Sequence, residues 1–338
     1  MKDGVSIIVC TYNGASRLAP TLLHIAKQKT PDTLKWEVIL IDNKSTDNSA
    51  SIAKELWNSY DCDVDFRIVH QPIQGLSFAR DMGFQEARYE YILMCDDDNW
   101  LNDDYVETAY SIMNSYPTVG ILGGHGNLVY ETSPPDWVTN YPIHASGSQV
   151  YKFNLVRSYG IYGAGCVLRK SAYQTLKESG FEFTLTDRLG SELSSGGDIE
   201  LCYAIALAGY AVYYDHRLQF QHFIPYKRTT WEYCIKYVND SSLSHIVLEP
   251  FKILLIIKTQ SLATFRLVLL INFILRVLHL AFYLTKRMAL RCVGVDTKII
   301  DLKVATLKAK LSTYKHHSVM VSNFRKLAAI QQQFSLNR

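Results

Sequence analysis

The stretch Tyr91-Ile92-Leu93-Met94-Cys95-Asp96-Asp97-Asp98-Asn99 runs without interruption from apolar residues into three adjacent carboxylates. A short, continuously apolar run predicts a strand buried on both faces, as in parallel sheets covered by helices. The carboxylates then stand at the strand's carboxyl end, where open parallel sheets bind their ligands. Three neighbouring Asp side chains repel one another and destabilise a sheet end unless a cation or hydrogen-bond donors neutralise them. They could cap a helix beginning near Asn102, since Asp favours helix N-termini, although one Asp would suffice for that. Alternatively they hold a divalent ion together with a diphosphate, because Mg²⁺ takes few carboxylates and completes its shell with phosphate oxygens and water.

Working outward, the same grammar recurs towards the N-terminus. Val5–Cys10, Trp36–Ile41 and Phe66–His70 are apolar, β-branched runs, separated by helical patterns over Arg17–Gln28, Asp47–Tyr60 and Leu76–Ala87. Strand and helix in alternation predict an α/β fold with a mostly parallel central sheet flanked by helices. Polar residues follow the first strand (Thr11-Tyr12-Asn13-Gly14) and the second (Asp42-Asn43-Lys44-Ser45-Thr46-Asp47), so three strand ends meet in one carboxylate-rich rim. From Val119 to about Asp187 the pattern is irregular, with Trp137 in a Pro-rich loop and a Gly163-Ala164-Gly165 turn. A helical pattern over Asp198–Gly209 and a strand over Ala211–Tyr214 then lead to His222.

Charge divides the chain more sharply than its overall +3 suggests. Residues 1–250 carry 20 Lys and Arg against 30 Asp and Glu, whereas residues 251–338 carry 15 basic and two acidic side chains. The expectation is an acidic domain over 1–250 and a helical, apolar and basic extension over 251–338. Within the extension, Lys252, Lys258, Arg266 and Arg276 interrupt an apolar stretch whose longest uncharged runs, Leu267–Leu275 and Val277–Thr285, are nine residues each. Spanning a bilayer takes roughly 20 residues, so a plain transmembrane segment is disfavoured. Ile300, Val304, Leu307, Leu311 and Tyr314 fall at helical spacing beside a set of lysines, the build of a helix lying on an anionic membrane surface. The basic residues are interleaved with aliphatics rather than exposed aromatics, which argues against a nucleic-acid partner. Seven scattered cysteines without a C-x-x-C pair read as buried thiols of a reducing compartment. The N-terminus has too short an apolar run for a secretory signal, so the acidic part is expected in the cytoplasm.

Taken in order, these elements resemble family 2 glycosyltransferases of the GT-A (nucleotide-diphospho-sugar transferase) fold. The resemblance rests on Val5–Asn13, on the Asp42-Asn43-x-Ser45-Thr46-Asp47 turn and on Gly75-Leu76-Ser77-Phe78-Ala79-Arg80. It continues through the Asp-x-Asp element of Asp96–Asp98, Gly196-Gly197-Asp198-Ile199-Glu200-Leu201 and His222, covering about residues 1–240. It implies an inverting, metal-dependent transferase working in polysaccharide assembly, with a nucleotide-binding half over about 1–125 and an acceptor-binding half over 126–250. The donor would be a nucleotide sugar, most simply a UDP-sugar, and the acceptor a saccharide or lipid-linked saccharide. Cys10, Thr11, Tyr12, Asn13 and Asp42 would then surround the nucleotide, with Tyr12 stacking on the base and Asp42 accepting from a ring N–H. Asp96 or Asp97 would lie near the ribose, Arg80 and Arg228 near the diphosphate, and Asp98 with His222 would hold Mg²⁺ or Mn²⁺. Asp198 would be the general base, in a chain with Gly197 where the family commonly has Glu, and Glu200 an alternative base. Trp137 either stacks on an acceptor sugar or anchors its loop. The enzyme would work in the cytoplasm, peripherally attached to the inner face of the membrane.

Other chemistries fit less well. No G-x-x-x-x-G-K-[ST] phosphate loop, dinucleotide fingerprint or G-x-S-x-G nucleophile turn occurs. A sugar nucleotidyltransferase would carry a Gly-rich, basic loop after its first strand, which Thr11-Tyr12-Asn13-Gly14 is not. A non-catalytic glycan-binding protein on the same fold would have no use for the intact acidic triplet, Asp198 and His222.

Overall fold

The computed structural model describes residues 2–150, 154–190 and 192–336. In chain order the first elements are β1 (Lys2–Thr11), α1 (Leu18–Ala26), β2 (Trp36–Asp42), α2 (Ser49–Ser59), β3 (Asp65–His70), α3 (Leu76–Glu86) and β4 (Tyr89–Asp96). They are followed by β5 (Asn99–Leu101), α4 (Tyr105–Ser115), β6 (Val119–Tyr130), α5 (Asp136–Thr139), β7 (Asn154–Leu155), β8 (Val167–Arg169) and α6 (Lys170–Glu178). Next come α7 (Gly197–Leu207), β9 (Ala211–Ile224), α8 (Trp231–Ser241), α9 (His245–Ile257), α10 (Leu262–Cys292), α11 (Lys298–Ser312) and α12 (His317–Leu336).

The chain divides into two compact units. The first comprises Met1–Val129, Ala145–Gly190 and Gly197–Ile224; the second comprises Tyr130–His144, Ser191–Gly196 and Pro225–Arg338. Pro250, where the charge balance changes, lies inside α9.

The first unit is built on a sheet in the order β3-β2-β1-β4-β8-β6-β9-β5, with β7 alongside β9. β3, β2, β1 and β4 are parallel, as alternating strands and helices dictate, whereas β8 runs antiparallel to both β4 and β6. Val5, Ile7, Ile8 and Val9 of β1 are buried, as are Val38 to Ile41 of β2 and Ile92 to Met94 of β4. Helices cover the sheet: α1 buries Leu18, Leu22 and Ile25 at helical spacing, and α3 lies over β1 and β2. Register fixes the rim. Thr11 pairs with Asp42 across β1 and β2, and Cys10 with Asp96 across β1 and β4, so the polar strand ends stand level.

Two readings of the sequence change here. β9 continues from Ala211 through Ile224, well past the expected end at Tyr214. Within it Arg217 pairs with Asp215, so these charges are met inside the strand. The acidic triplet caps no helix, since β5 follows it directly and α4 begins only at Tyr105.

The second unit is helical. Phe265 of α10 stacks on Phe324 of α12 at 4.2 Å, and Leu302, Cys234 and Val238 join Trp137 in a separate apolar cluster. The stripe expected to meet a membrane from α11 instead faces protein: Ile300 and Val304 are buried along with Leu302. Helix α10 shows the opposite arrangement, with Leu267, Leu270, Ile274 and Leu278 among its exposed residues. The cysteines are free, and most are buried or half-buried as expected, but Cys292 at the end of α10 is exposed.

Candidate active site

The rim above β1, β2 and β4 is stitched together by its own polar side chains. Asn13, in the left-handed region at φ 48°, accepts from the Thr46 amide at 2.8 Å, and its own amide donates to Ser45 Oγ at 3.1 Å. Asp42 accepts from the Ser45 amide at 3.0 Å and lies 3.2 Å from His70 Nδ1. These bonds hold the loops after β1 and β2 as one surface and leave the Tyr12 ring 40% exposed above it. Cys10 sits beneath; burial pushes its thiol up to about 12 against the opposing charge of Arg80, so it stays protonated.

Within the triplet the three carboxylates part company. Asp97 turns inward, accepting from Thr11 Oγ1 at 2.7 Å and from Arg17 Nη2 at 2.8 Å. Burial pushes its carboxyl up, with Arg17 opposing and Asp98 adding to the shift. Gly14 is needed here, because a Cβ would come within 2.4 Å of Asp97 Oδ2. Asp97 thus braces the loops, and Asp96 is the member whose side chain is most exposed to the rim. Arg17 was not singled out from the sequence, where it reads only as the start of an amphipathic helix.

Asp98 faces His222, brought beside it by the pairing of Asn99 with His222 between β5 and β9. His222 Nδ1 lies 2.9 Å from the Ala145 carbonyl, which can only accept, so Nδ1 carries the proton. Nε2 is then directed at Asp98 Oδ1, 3.7 Å away, too far for a hydrogen bond. A neutral ring in this tautomer presents a lone pair to a carboxylate, an arrangement that a cation between them relieves. The pair therefore fits a divalent ion as two ligands. Among the described residues no group of three or more His, Cys, Asp and Glu is placed to hold one, so oxygens of a ligand or water would complete the shell.

The second cluster centres on Arg80 of α3. Its guanidinium lies 3.2 Å from Asp187 and 3.5 Å from Asp96, linking the rim to the N-terminus of α7. Burial works against its charge, but Asp96, Asp187 and Asp198 more than offset that and raise its pKa. Asp187 also accepts from the Gly197 amide at 2.6 Å. Burial lifts its carboxyl to about 6, with Arg80 pulling it down and Asp198 pushing it up. Asp198, half-buried in the first turn of α7, accepts from the Gly163 amide at 2.8 Å and from the Ile199 amide at 2.8 Å. Gly163 allows that approach, since a Cβ there would lie 2.9 Å from Asp198 Cβ. A cavity of about 290 Å³ opens beside the cluster, with Phe78, Phe183 and Leu185 in its wall and Arg80, Asp187 and Asp198 at its polar end.

Glu200 does not stand by as an alternative base. It is buried, and both its oxygens accept from backbone, the Thr184 and Leu185 amides at 2.9 Å each. Its work is to hold the strand-less segment that carries Asp187. Asp187 itself was invisible in the sequence, lying in an irregular stretch with no periodicity to mark it. Arg228 lies in the second unit, in the 3₁₀ turn Tyr226–Thr229. Trp137, also in the second unit, is buried edge-on against Trp231 at 5.3 Å with Lys298 over its ring, which makes it a loop anchor and not an open sugar platform.

Comparison with known proteins gives this geometry a context. The chain is 30% identical over 128 residues to the glycosyltransferase GlyG of Streptococcus pneumoniae, a match covering 38% of this chain and 40% of that protein. The chain thus matches less than half the length of the curated relatives it resembles. Among solved structures it superposes on Staphylococcus aureus TarS 1–349 in complex with UDP-GlcNAc, with a TM-score of 0.52 and 15% identity over 98% of this chain and 92% of that one. A mannosyltransferase from Pyrobaculum calidifontis in complex with GDP-Man and Mn²⁺ gives a TM-score of 0.56 at 18% identity, over 99% of this chain and 88% of that one. Both share the mixed, helix-flanked sheet described above. The sequence model of glycosyl transferase family 2 matches residues 6–176, just over half of the chain, and the chain belongs to that family.

Proposed function

We propose that the chain is an inverting, metal-dependent glycosyltransferase that moves a sugar from a nucleoside diphosphate, most simply UDP, to a hydroxyl of a saccharide or lipid-linked saccharide in cell-surface glycan assembly. The observation that carries this reading is the position of Asp198: a half-buried carboxylate at a helix N-terminus, linked through Arg80 to the Asp96–Asp98 rim.

The exposed Tyr12 ring offers a face to a nucleobase and Asp42 a directional acceptor, over a floor of Cys10, Thr11 and Asn13. Asp96, the most exposed of the three carboxylates, would face the ribose, while Asp97 stays bonded to Thr11 and Arg17. Asp98 and His222 would hold Mg²⁺ or Mn²⁺, which when bound compensates the charge that a departing diphosphate gains. Arg80, 3.5 Å from Asp96, would add a fixed positive charge at the rim. Asp198 takes the proton of the acceptor hydroxyl as that oxygen attacks the anomeric carbon. The bond from that carbon to the diphosphate oxygen breaks on the opposite face, and the nucleoside diphosphate leaves with the electron pair. We place the enzyme in the cytoplasm, held peripherally at the membrane's inner face through residues 251–338, where a lipid-linked acceptor would be presented.

A nucleotide-sugar panel with Mn²⁺ or Mg²⁺, followed by an acceptor screen, tests the reading. Wild type should release nucleoside diphosphate, Asp198→Asn should bind donor normally while losing transfer about 10²–10⁴-fold, and Asp98→Ala should lose metal-dependent donor affinity. Unchanged transfer by Asp198→Asn, or release of pyrophosphate, would overturn it.

A further inference from the structure

The charges within α10 that disfavour a plain transmembrane span are drawn largely to one side of the helix. Arg276, midway along the helix, is turned into the second unit, where it lies 3.2 Å from Glu249 of α9 and also donates to the Tyr314 hydroxyl. Asn272, one turn earlier on the same side, donates to Glu249 at 2.7 Å. Arg287 and Arg291 both reach Asp301 of α11, at 3.2 and 3.0 Å. Phe265 and Leu269 share this inward side and are buried.

The opposite side of α10 carries no charge from Leu267 to Thr285. Leu267, Leu270, Ile271, Ile274, Leu278 and Phe282 recur there at helical spacing, each between 45% and 60% exposed. The helix is long and apolar enough to cross a membrane, yet only 6% of its most apolar window is buried. A core helix of these properties would be mostly buried, so the polarity of α10 is inverted, ions inward and leucines outward. Patches of this extent mark an interaction surface.

Charge decides the occupant. Arg266 and Lys286 stand exposed at the two margins of the stripe, and no acidic residue occurs between Glu249 and Asp296. A second copy laid on the stripe, parallel or antiparallel, would set basic margins against basic margins. Anionic lipid headgroups would satisfy them while the acyl region covers the leucines. Because its inner side is fixed to α9 and α11 along much of its length, the helix suits lying in the membrane plane rather than crossing it.

We infer that α10 is an in-plane membrane helix, its Leu267–Phe282 stripe inserted in the acyl boundary of one leaflet of an anionic membrane. This rests on the peripheral-attachment reading and names the element responsible for it. The test uses the full chain and flotation with vesicles of phosphatidylcholine and phosphatidylglycerol. Wild type should float, and the triple variant Leu270→Glu, Ile274→Glu, Leu278→Glu should lose binding about tenfold or more while keeping its circular dichroism and its transfer to a soluble acceptor. An environment-sensitive fluorophore placed at 267, 278 or 288 in a Cys292→Ser background should report one shared, shallow depth. Absence of flotation by wild type overturns peripheral attachment itself, and this inference with it. Flotation that survives the triple variant, or a probe depth greatest at 278 as in a spanning helix, overturns only the role given to α10. So does a solution dimer that the triple variant dissociates.

Discussion

At the scale of single residues, the site is defined as much by side chains that brace as by those that face outward. Asp97, Arg17, Thr11 and Glu200 are buried or half-buried groups whose bonds fix loops. Only the fold reveals which member of the run Asp96–Asp98 turns inward, because adjacent residues of one type carry no mark of orientation until a neighbour such as Arg17 claims one of them. Asp187 makes the same point, and its raised carboxyl gives a measurable consequence. An acid whose folded pKa of about 6 exceeds its ordinary 3.8 favours the folded state below the lower value and loses that contribution as pH rises through the higher one. Wild type should therefore lose about 2 kcal/mol relative to Asp187→Asn between pH 4 and pH 7, a trend that denaturant titrations at several pH values would reveal. A pH-independent difference would mean that Asp187 keeps an ordinary pKa.

At the scale of elements, strands were legible because burial on both faces leaves apolar runs, and α1 to α3 because one apolar side recurs at 3.6 residues. The ends of β1, β2 and β4 followed from the same reading. What was not legible was the length of β9, since a charged pair within a strand looks like a turn, and the orientation of α10 and α11. Their sequences show which residues alternate but not whether the apolar side meets protein or solvent. In α10 the answer hinges on Glu249. Burial alone would raise its carboxyl, but His245, with Nε2 3.2 Å away, and the charge of Arg276 outweigh it and hold the group at about 2, against an ordinary 4.5. The stabilisation is present above the ordinary value and lost as pH falls towards the folded one. Acidification from pH 5 to pH 2.5 should cost wild type about 2 kcal/mol more than Glu249→Gln, as read by urea unfolding at each pH. Equal acid sensitivity of the two would show that the Glu249 carboxylate does not hold α9 to α10.

At the scale of the whole molecule, the uneven charge takes on a mechanical sense. The front of the chain spends its acids on a rim and a base, whereas the 15 basic residues after Pro250 face two acids, one of which, Asp301, is engaged by Arg287 and Arg291. If the basic excess draws the protein to anionic lipid before α10 inserts, association should slow as salt rises from 0.05 to 0.5 M, since screening shortens from roughly 14 Å to about 4 Å. Dissociation, governed by apolar contact, should change little. Stopped-flow vesicle binding separates the two rates, and a salt-independent association rate would remove electrostatics from the encounter. The sequence by itself determined the α/β class, the polar rim at the strand ends and the family resemblance, because strand burial and loop chemistry are local and leave their pattern in consecutive residues. Only the tertiary structure decided that Asp97 braces while Asp98 meets His222, that Arg80 bridges rim and base through an unmarked Asp187, and that α10 turns its arginines inward. Each of these depends on which distant side chain arrives opposite, and a one-dimensional pattern does not contain that distance.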